Sequence, residues 1–589
     1  MNMIAFALLA PLLAAILAVA AIKSHKYAKY FAIAGSLLSL ALFPLIDSGT
    51  ENVGWLSIGG VQLPLTASVL PLNYMLLFLV LTIGPLIMIY SAGFMDLPSE
   101  QRRYYIEMLA FEAAMLTFAM AGNFIVLFIA WEFLSMTSYL LIGFWYDRDK
   151  AAAAARKAIT IILIGDIALL ASMVMFQNNF GSLQFSVILN GIGNGGLTLI
   201  PVALLFIAIM TKSAQFPTEE WLVDAMEGPT PVSAFLHSST MVKAGVFVAL
   251  VLFPLFAATG MLNVMLAVGA ITVALAVFSA TRSRHVKRVL AYSTVQELGF
   301  MLVAIGSNAL LAAVYFFFAQ SFYKALLFFS AGSTMKATGK EDLADITGLQ
   351  RNRLIYITTI FGALALAGFI PFDGFFANIG IDSAFSTNLI AYALVSLASL
   401  ATSFYIFRWL FSQTRKEGSA RVSLNYASTP KSMSYSMLVL ALATLGASVA
   451  FFMFPSMFSG LGGGTLTIGA IDGVVETVLI AIGAYVGFVL YKQRKRNRLK
   501  MVQPEVLFNT IYSAALMNAF YAHIAGFVEA IASAVAYADA KLDAVFDWLG
   551  HIAMRASGEM RLFASGSVNA YVALFAAGMV VLIIVVVAL

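Results

Sequence analysis

The chain contains no cysteine. This excludes a disulfide and any cysteine-ligated iron–sulfur cluster. Charge is also scarce, at 11% of residues against 61% hydrophobic. Histidine occurs five times, at His25, His237, His285, His523 and His551, without metal-ligand spacing. No alternating strand pattern is read, and no Gly-rich dinucleotide fingerprint follows a strand. Redox chemistry therefore belongs to other polypeptides, and no cofactor or metal is expected in this chain. Nor is any stretch polar and long enough to fold as a separate soluble domain. The net charge of +5 identifies no partner, because the basic residues serve topology.

What is present is apolar length. The mean hydropathy is +0.92, and apolar runs of about 20 residues, each long enough to span a hydrocarbon core, recur from end to end. The pattern predicts an all-α, polytopic membrane protein with about 16 transmembrane helices. They are placed at 2–22, 28–47, 74–96, 104–121, 123–145, 158–176, 198–220, 232–254, 262–281, 287–306, 309–335, 354–379, 383–413, 434–457, 468–491 and 567–589. The first lacks the basic n-region of a cleavable leader and is read as a mature span. Loops after even-numbered spans carry no Lys or Arg up to the fourteenth; loops after odd-numbered spans carry nearly all of them, most densely at Lys492 to Arg498. By the positive-inside rule the basic loops face the cytoplasm and both termini lie outside. Residues 503–565 mix apolar and charged side chains and begin near Pro504. They predict an amphipathic helix of ~90 Å on the cytoplasmic side, along the membrane surface or along neighbouring subunits, or two or three shorter helices broken near Gly526 and Gly550.

Three lysines interrupt apolar spans: Lys212, Lys243 and Lys324. Ionisable residues inside a membrane are expensive and mark ion pathways. Lysine is also the basic side chain whose charge responds most readily to burial. Pro217 follows Lys212 by five residues and predicts a helix break there, a device that frees backbone groups for ion sites. His237 and Lys243 are placed on one continuous span, roughly 240° apart in projection. Asp166 lies mid-span and is expected to partner a lysine or water. Each residue also has a plainer reading: a static buried pair for Lys212, snorkelling for Lys243, topological charges for Lys287 and Arg288, packing for His237.

The segment from Lys212 to Gly245 reads K-S-A-Q-F-P-T-E-E-W-L-V-D-A-M-E-G-P-T-P-V-S-A-F-L-H-S-S-T-M-V-K-A-G. Together with Trp131-Glu132, Lys287-Arg288-Val-Leu-Ala-Tyr-Ser-Thr and Lys324-Ala-Leu-Leu-Phe, it resembles the NuoL/MrpA antiporter-like subunits. Those occur in complex I, F420H2 dehydrogenases, membrane-bound hydrogenases and multisubunit cation/proton antiporters. The resemblance implies two inverted five-helix repeats over 104–254 and 262–413, with broken helices at Pro217 and Pro371. Around them it implies N-terminal helices over 1–103, peripheral helices over 434–491, the lateral helix over 503–565 and an anchor helix over 567–589. It further implies that Glu132 pairs with Lys212 and that Asp166, His237, Lys243, Lys287 and Lys324 belong to a proton relay. Lys324 has no acid partner evident in the sequence.

The chain departs from the family pattern at several positions. Phe316 and Gln320 replace histidines, and Leu163 replaces an arginine. Asn378 and Ile379 stand where an outlet lysine and an acid are expected, leaving Asp373 and Asp382 as candidate substitutes. The function implied is a proton-translocating subunit of a complex-I-type quinone oxidoreductase, partnered by other membrane-arm subunits and the bilayer, with protons or Na⁺ as the transported ion. The alternatives are the large subunit of a multisubunit Na⁺/H⁺ antiporter, a non-pumping structural subunit, and a bicarbonate-uptake relative. Antiporter large subunits typically continue beyond the point where this chain stops, at Leu589, which weighs toward the first reading.

Overall fold

Apolar periodicity becomes helix along most of the chain. The structure, a computed structural model, describes residues 5–22, 24–58, 61–195, 197–378, 389–414, 429–453 and 470–489, with isolated residues between 526 and 579. Two units are distinguished, Met1–Lys495 and Arg496–Leu589. Among the described residues of the second, Ala530, Tyr537 and Trp548 are helical and exposed. The expected lateral helix and anchor otherwise lie outside the described residues.

The first unit opens with α1 (Leu9–Ala21) and α2 (Ala28–Leu42). Next comes an antiparallel hairpin of β1 (Gly49–Ile58) and β2 (Val61–Val69). This corrects the reading that no strand is present. Ile58 pairs with Val61 across the dipeptide Gly59-Gly60, a hairpin signature. A register shift between Gly54 and Leu56 and the proline at 64 obscure the alternation on either side of it.

Helices then follow in near-unbroken succession: α3 (Pro71–Phe94), α4 (Pro98–Ala119), α5 (Phe124–Ile142), α6 (Asp149–Phe180), the short α7 (Phe185–Asn190) and α8 (Leu199–Lys212). Next are α9 (Glu220–Asp224), α10 (Thr230–Ser238), α11 (Met241–Val251), α12 (Phe253–Ala258), α13 (Leu262–Arg282) and α14 (Val286–Gly306). The unit ends with α15 (Leu310–Thr338), α16 (Arg353–Ala367), α17 (373–378), α18 (Leu389–Gln413), α19 (Lys431–Met453) and α20 (Ala470–Gly487). Among the described residues ten helices are long and apolar enough to cross a membrane, with four shorter apolar ones. The protein is a multi-pass membrane protein. α4 occupies the place of the fourth predicted span, but Arg102, Arg103, Glu107 and Glu112 lower its hydropathy and it is not among the ten.

Local chemistry sets the ends. Asn123 and Asn352 cap α5 and α16 by accepting from the backbone N–H three residues on. α16 stops at Gly368, at φ +78, a left-handed conformation that favours glycine. Glycine also sets the closest packing. A Cβ on Gly269 of α13 would lie 2.8 Å from the carbonyl of Gly299 on α14, and one on Gly306 would lie 2.6 Å from Leu266 N. Backbone contact of this kind is how membrane helices associate where the hydrophobic effect gives no net pull. α15 is deeply buried and packs against α3, α10, α14, α16 and α19. Replacing Gly269 by Val is expected to push α13 off α14 and cost about 1–3 kcal/mol. Unfolding of the purified protein in mixed detergent micelles measures this, and an unchanged midpoint would refute the packing argument.

Candidate functional site

The break after α8 builds the first part of the site. α8 ends on Lys212, and Pro217 lies in the turn that follows, after a cis Phe216–Pro217 bond. The freed carbonyls find new donors, as buried backbone must. Met210 O accepts from Gln215 N at 2.9 Å and from Thr218 Oγ1 at 3.1 Å, and Thr211 O accepts from Trp221 Nε1 at 2.8 Å. Lys157 clamps α9 through Glu220 and Asp224, at 2.6 and 2.9 Å. Arg288 reaches Asp224 and Glu227 at 3.7 and 3.5 Å, and Lys287 donates to the carbonyl of Gly228 at 2.9 Å. Lys287 thus anchors the segment after the break.

Lys212 is fully buried. Its Nζ donates to Ser135 Oγ at 2.5 Å and to the carbonyl of Trp131 at 3.2 Å, and it stands 4.5 Å from the Trp131 ring centroid. Its carboxylate in ion-pair contact is Asp166, at 3.7 Å. Asp166 in turn accepts from Trp131 Nε1 at 2.6 Å and Ser135 Oγ at 3.0 Å. The expected direct pairing with Glu132 therefore gives way to Asp166. Trp131 and Ser135 share the inner face of α5, while Glu132 is turned about 100° from Trp131. It lies half-buried beside the exposed Phe133, within electrostatic reach of both Lys212 and Asp166. Gly165 lets α6 come this close: a Cβ there would collide with Thr211 of α8.

Lys243 and His237 do not share a continuous helix. The span breaks between Ser238 and Met241, where hydroxyl side chains compete with the helix for backbone groups, and Thr240 Oγ1 donates to Phe235 O at 2.5 Å. Lys243 is buried and donates to Ser321 Oγ and to Phe317 O, the latter at 2.6 Å. Among the described residues no carboxylate is in ion-pair contact with it. His237 is buried 4.7 Å from the Phe328 ring, and neither ring nitrogen has a hydrogen-bond partner among the described residues.

Lys324 has the partner that the sequence did not reveal. Its Nζ lies 2.7 Å from Glu297 Oε2 and donates to Ser293 Oγ at 2.6 Å. Glu297 also accepts from Tyr323 OH at 3.0 Å and Gln320 Nε2 at 3.2 Å. Gln320 further donates to the carbonyl of His237 at 3.3 Å, so this non-histidine position bridges the two helices. The missed signal was an acid in the middle of span 287–306, visible by the rule that marked Asp166.

Asp373 begins α17 and is buried, accepting from Gly374 N at 3.0 Å through one oxygen. Pro371 lies in the turn between α16 and α17, after a cis Ile370–Pro371 bond. Asp382 lies outside the described residues. Asn378 donates to Glu476 Oε1 at 2.9 Å.

Comparison with known proteins places this arrangement. A match to the family "NADH:quinone oxidoreductase/Mrp antiporter, TM" covers residues 121–404, and one to "NADH-Ubiquinone oxidoreductase (complex I), chain 5 N-terminus" covers 55–105. F(420)H(2) dehydrogenase subunit L of Methanosarcina mazei is 32% identical over 587 residues, covering 88% of this chain and 87% of that protein. The chain belongs to the NADH:quinone oxidoreductase/Mrp antiporter family. Chloroplastic NAD(P)H-quinone oxidoreductase subunit 5 of Chaetosphaeridium globosum is 34% identical over 72% of this chain, which spans 66% of that protein. Of the Lemna minor counterpart, 36% identical over 62% of this chain, the chain spans 52%. The Mrp complex from Dietzia sp. DQ12-45-1b shares the fold at a TM-score of 0.75 and 24% identity, over 89% of this chain and 60% of that one.

Within the family fold, Asp166 and Glu132 make different predictions. Asp166→Ala strands a buried ammonium and is expected to cost about 3–5 kcal/mol. Glu132→Ala breaks no close pair and is expected to cost well under half as much. Thermal unfolding of the two purified variants in detergent measures the difference; equal losses would show that Asp166 is not the structural partner of Lys212.

Proposed function

We propose that the chain is a proton-translocating, antiporter-like subunit of a complex-I-type respiratory dehydrogenase. The observation that carries this is the buried series Asp166–Lys212, Lys243–Ser321 and Glu297–Lys324 inside otherwise apolar helices. Such groups are costly at membrane depth and mark ion pathways. Each acid–lysine pair exchanges protons as a unit, so its titration belongs to the pair. Glu132, within reach of both members of the first pair, can bias that exchange by its own charge. Residues 104–254 and 262–413 form the two halves of the path, related as inverted repeats. Redox cofactors and quinone chemistry belong on this reading to other polypeptides; the relatives are themselves named as subunits of a dehydrogenase and of a quinone oxidoreductase. The basic loops face the cytoplasm and the termini lie outside, as the Lys/Arg alternation requires.

A second reading, the large subunit of a multisubunit Na⁺/H⁺ antiporter, is supported by the likeness to the Mrp complex. Chains that co-purify separate the two: iron–sulfur and quinone-reductase polypeptides favour the first, small membrane subunits alone the second. In inverted membrane vesicles with assembly checked on native gels, Lys212→Ala and Lys324→Ala are each expected to lower redox-driven ΔpH formation about tenfold, a barrier increase of ~1.4 kcal/mol or more. Full proton pumping in both assembled variants would exclude this path and leave a structural role for the subunit.

A further inference from the structure

α20 is a lipid-type helix with one buried charge on its inner face. Val474, Val478, Ile482 and Tyr485 are 48–68% exposed, whereas Glu476 is fully buried. Glu476, Ile480, Gly483 and Gly487 share the face turned to α18 at helical spacing. A Cβ on Gly483 would lie 2.6 Å from the carbonyl of Leu400, and Ser403 Oγ donates to Ile480 O at 2.7 Å. The close approach of backbones leaves the carboxyl nowhere to turn but inward.

Inside, it meets no cation in ion-pair contact among the described residues. Oε1 accepts from Asn378 Nδ2 at 2.9 Å, and Oε2 has no hydrogen-bond partner there, although Ser399 lies beside it. Asn378 is itself fixed: Gly368, at the end of α16, has no side chain, and a Cβ there would lie 2.6 Å from Asn378 Nδ2. A carboxyl facing an amide can bind and release a proton without breaking an ion pair.

Polar side chains on α18 line the way from this carboxyl toward the buried lysines. Ser399, Thr402 and Tyr405 lie three residues apart on α18, each about 60° around the helix from the last, in a strip that winds along it over about 9 Å. At its far end Tyr405 OH donates to Gln296 Oε1 at 2.9 Å, and Gln296 Nε2 donates to Thr402 Oγ1 at 2.6 Å. Gln296 precedes Glu297, the partner of Lys324. At the near end Ser399 lies beside Glu476.

We propose that Glu476 is a proton-binding residue on the outlet side of the second half of the path, held in place by Asn378. This rests on the proton-translocating reading above. A proton released at Lys324–Glu297 passes along the α18 edge to a carboxylate oxygen of Glu476, and the same carboxyl then gives a proton to the aqueous phase. Its charge returns to the starting state at each turnover.

The test is Glu476→Gln in the assembled complex, with Lys324→Ala alongside and proton pumping per electron read in inverted vesicles. Glu476→Gln keeps the shape and the hydrogen bond to Asn378 and is expected to pump about tenfold less, with Glu476→Asp recovering much of the loss. Wild-type pumping in Glu476→Gln, with Lys324→Ala defective, would overturn the role of Glu476 and leave the path standing. Wild-type pumping in both would overturn the path and the proposal with it. If Glu476→Gln does not assemble, the pH profile of pumping by Glu476→Asp decides. A shifted profile supports proton binding at this carboxyl, and an unshifted one refutes it.

Discussion

An ammonium group buried among apolar helices must be given acceptors, and the interior of this subunit is arranged around that demand. Each of the three lysines takes a serine hydroxyl: Ser135 for Lys212, Ser321 for Lys243, Ser293 for Lys324. Two of them add a backbone carbonyl and two add a carboxylate. A lone charge at this depth would cost several kcal/mol or more. The hydroxyls reduce that cost, and because a hydroxyl both accepts and donates, they do so without fixing where the proton sits.

These contacts depend on backbones that approach closely. Gly165 lets Asp166 reach Lys212, and Gly245 lets α11 pack against Ile209 and Ser213 at the end of α8. The broken helix adds its own acceptors and is held from outside by Lys157, Lys287 and Arg288. Packing and proton chemistry are thus served by the same small residues, so a substitution that fills one of these gaps affects both.

The helices were legible because hydropathy and the Lys/Arg alternation are independent signals that agree. The hairpin was not, because a bulge and a proline interrupt its alternation and its Gly59-Gly60 dipeptide was the only strong local cue. The lysines were legible because charge is rare in these spans. Their partners were legible only in part: the pairing of Lys324 with Glu297 joins residues 27 apart in sequence on two helices, and no spacing rule identifies it. Glu132 was preferred for Lys212 because it lies in a recognisable motif, yet one step along a helix turns a side chain about 100°, which is enough to exchange the interior for the rim. The break at Ser238–Met241 was missed for a similar local reason, a run of hydroxyl residues read as continuous span.

The three lysines differ in how tightly each is held. Lys212 and Lys324 are held by anions, so moving a proton off either one leaves an unpaired carboxylate behind, and the attraction to be overcome is several kcal/mol even at an effective dielectric of about 20. Lys243 donates to a hydroxyl and a carbonyl, and among the described residues no carboxylate is in ion-pair contact with it. Its hydroxyl partner Ser321 is one helical turn from Lys324 on α15. A charge arriving at Lys243 therefore raises the energy of the ammonium at Lys324 by repulsion, weakening the Glu297–Lys324 pair from a distance. On the proton-translocating reading proposed above, two paired sites flanking one unpaired site would let the middle member fill and empty more readily, with the outer pairs setting the barriers.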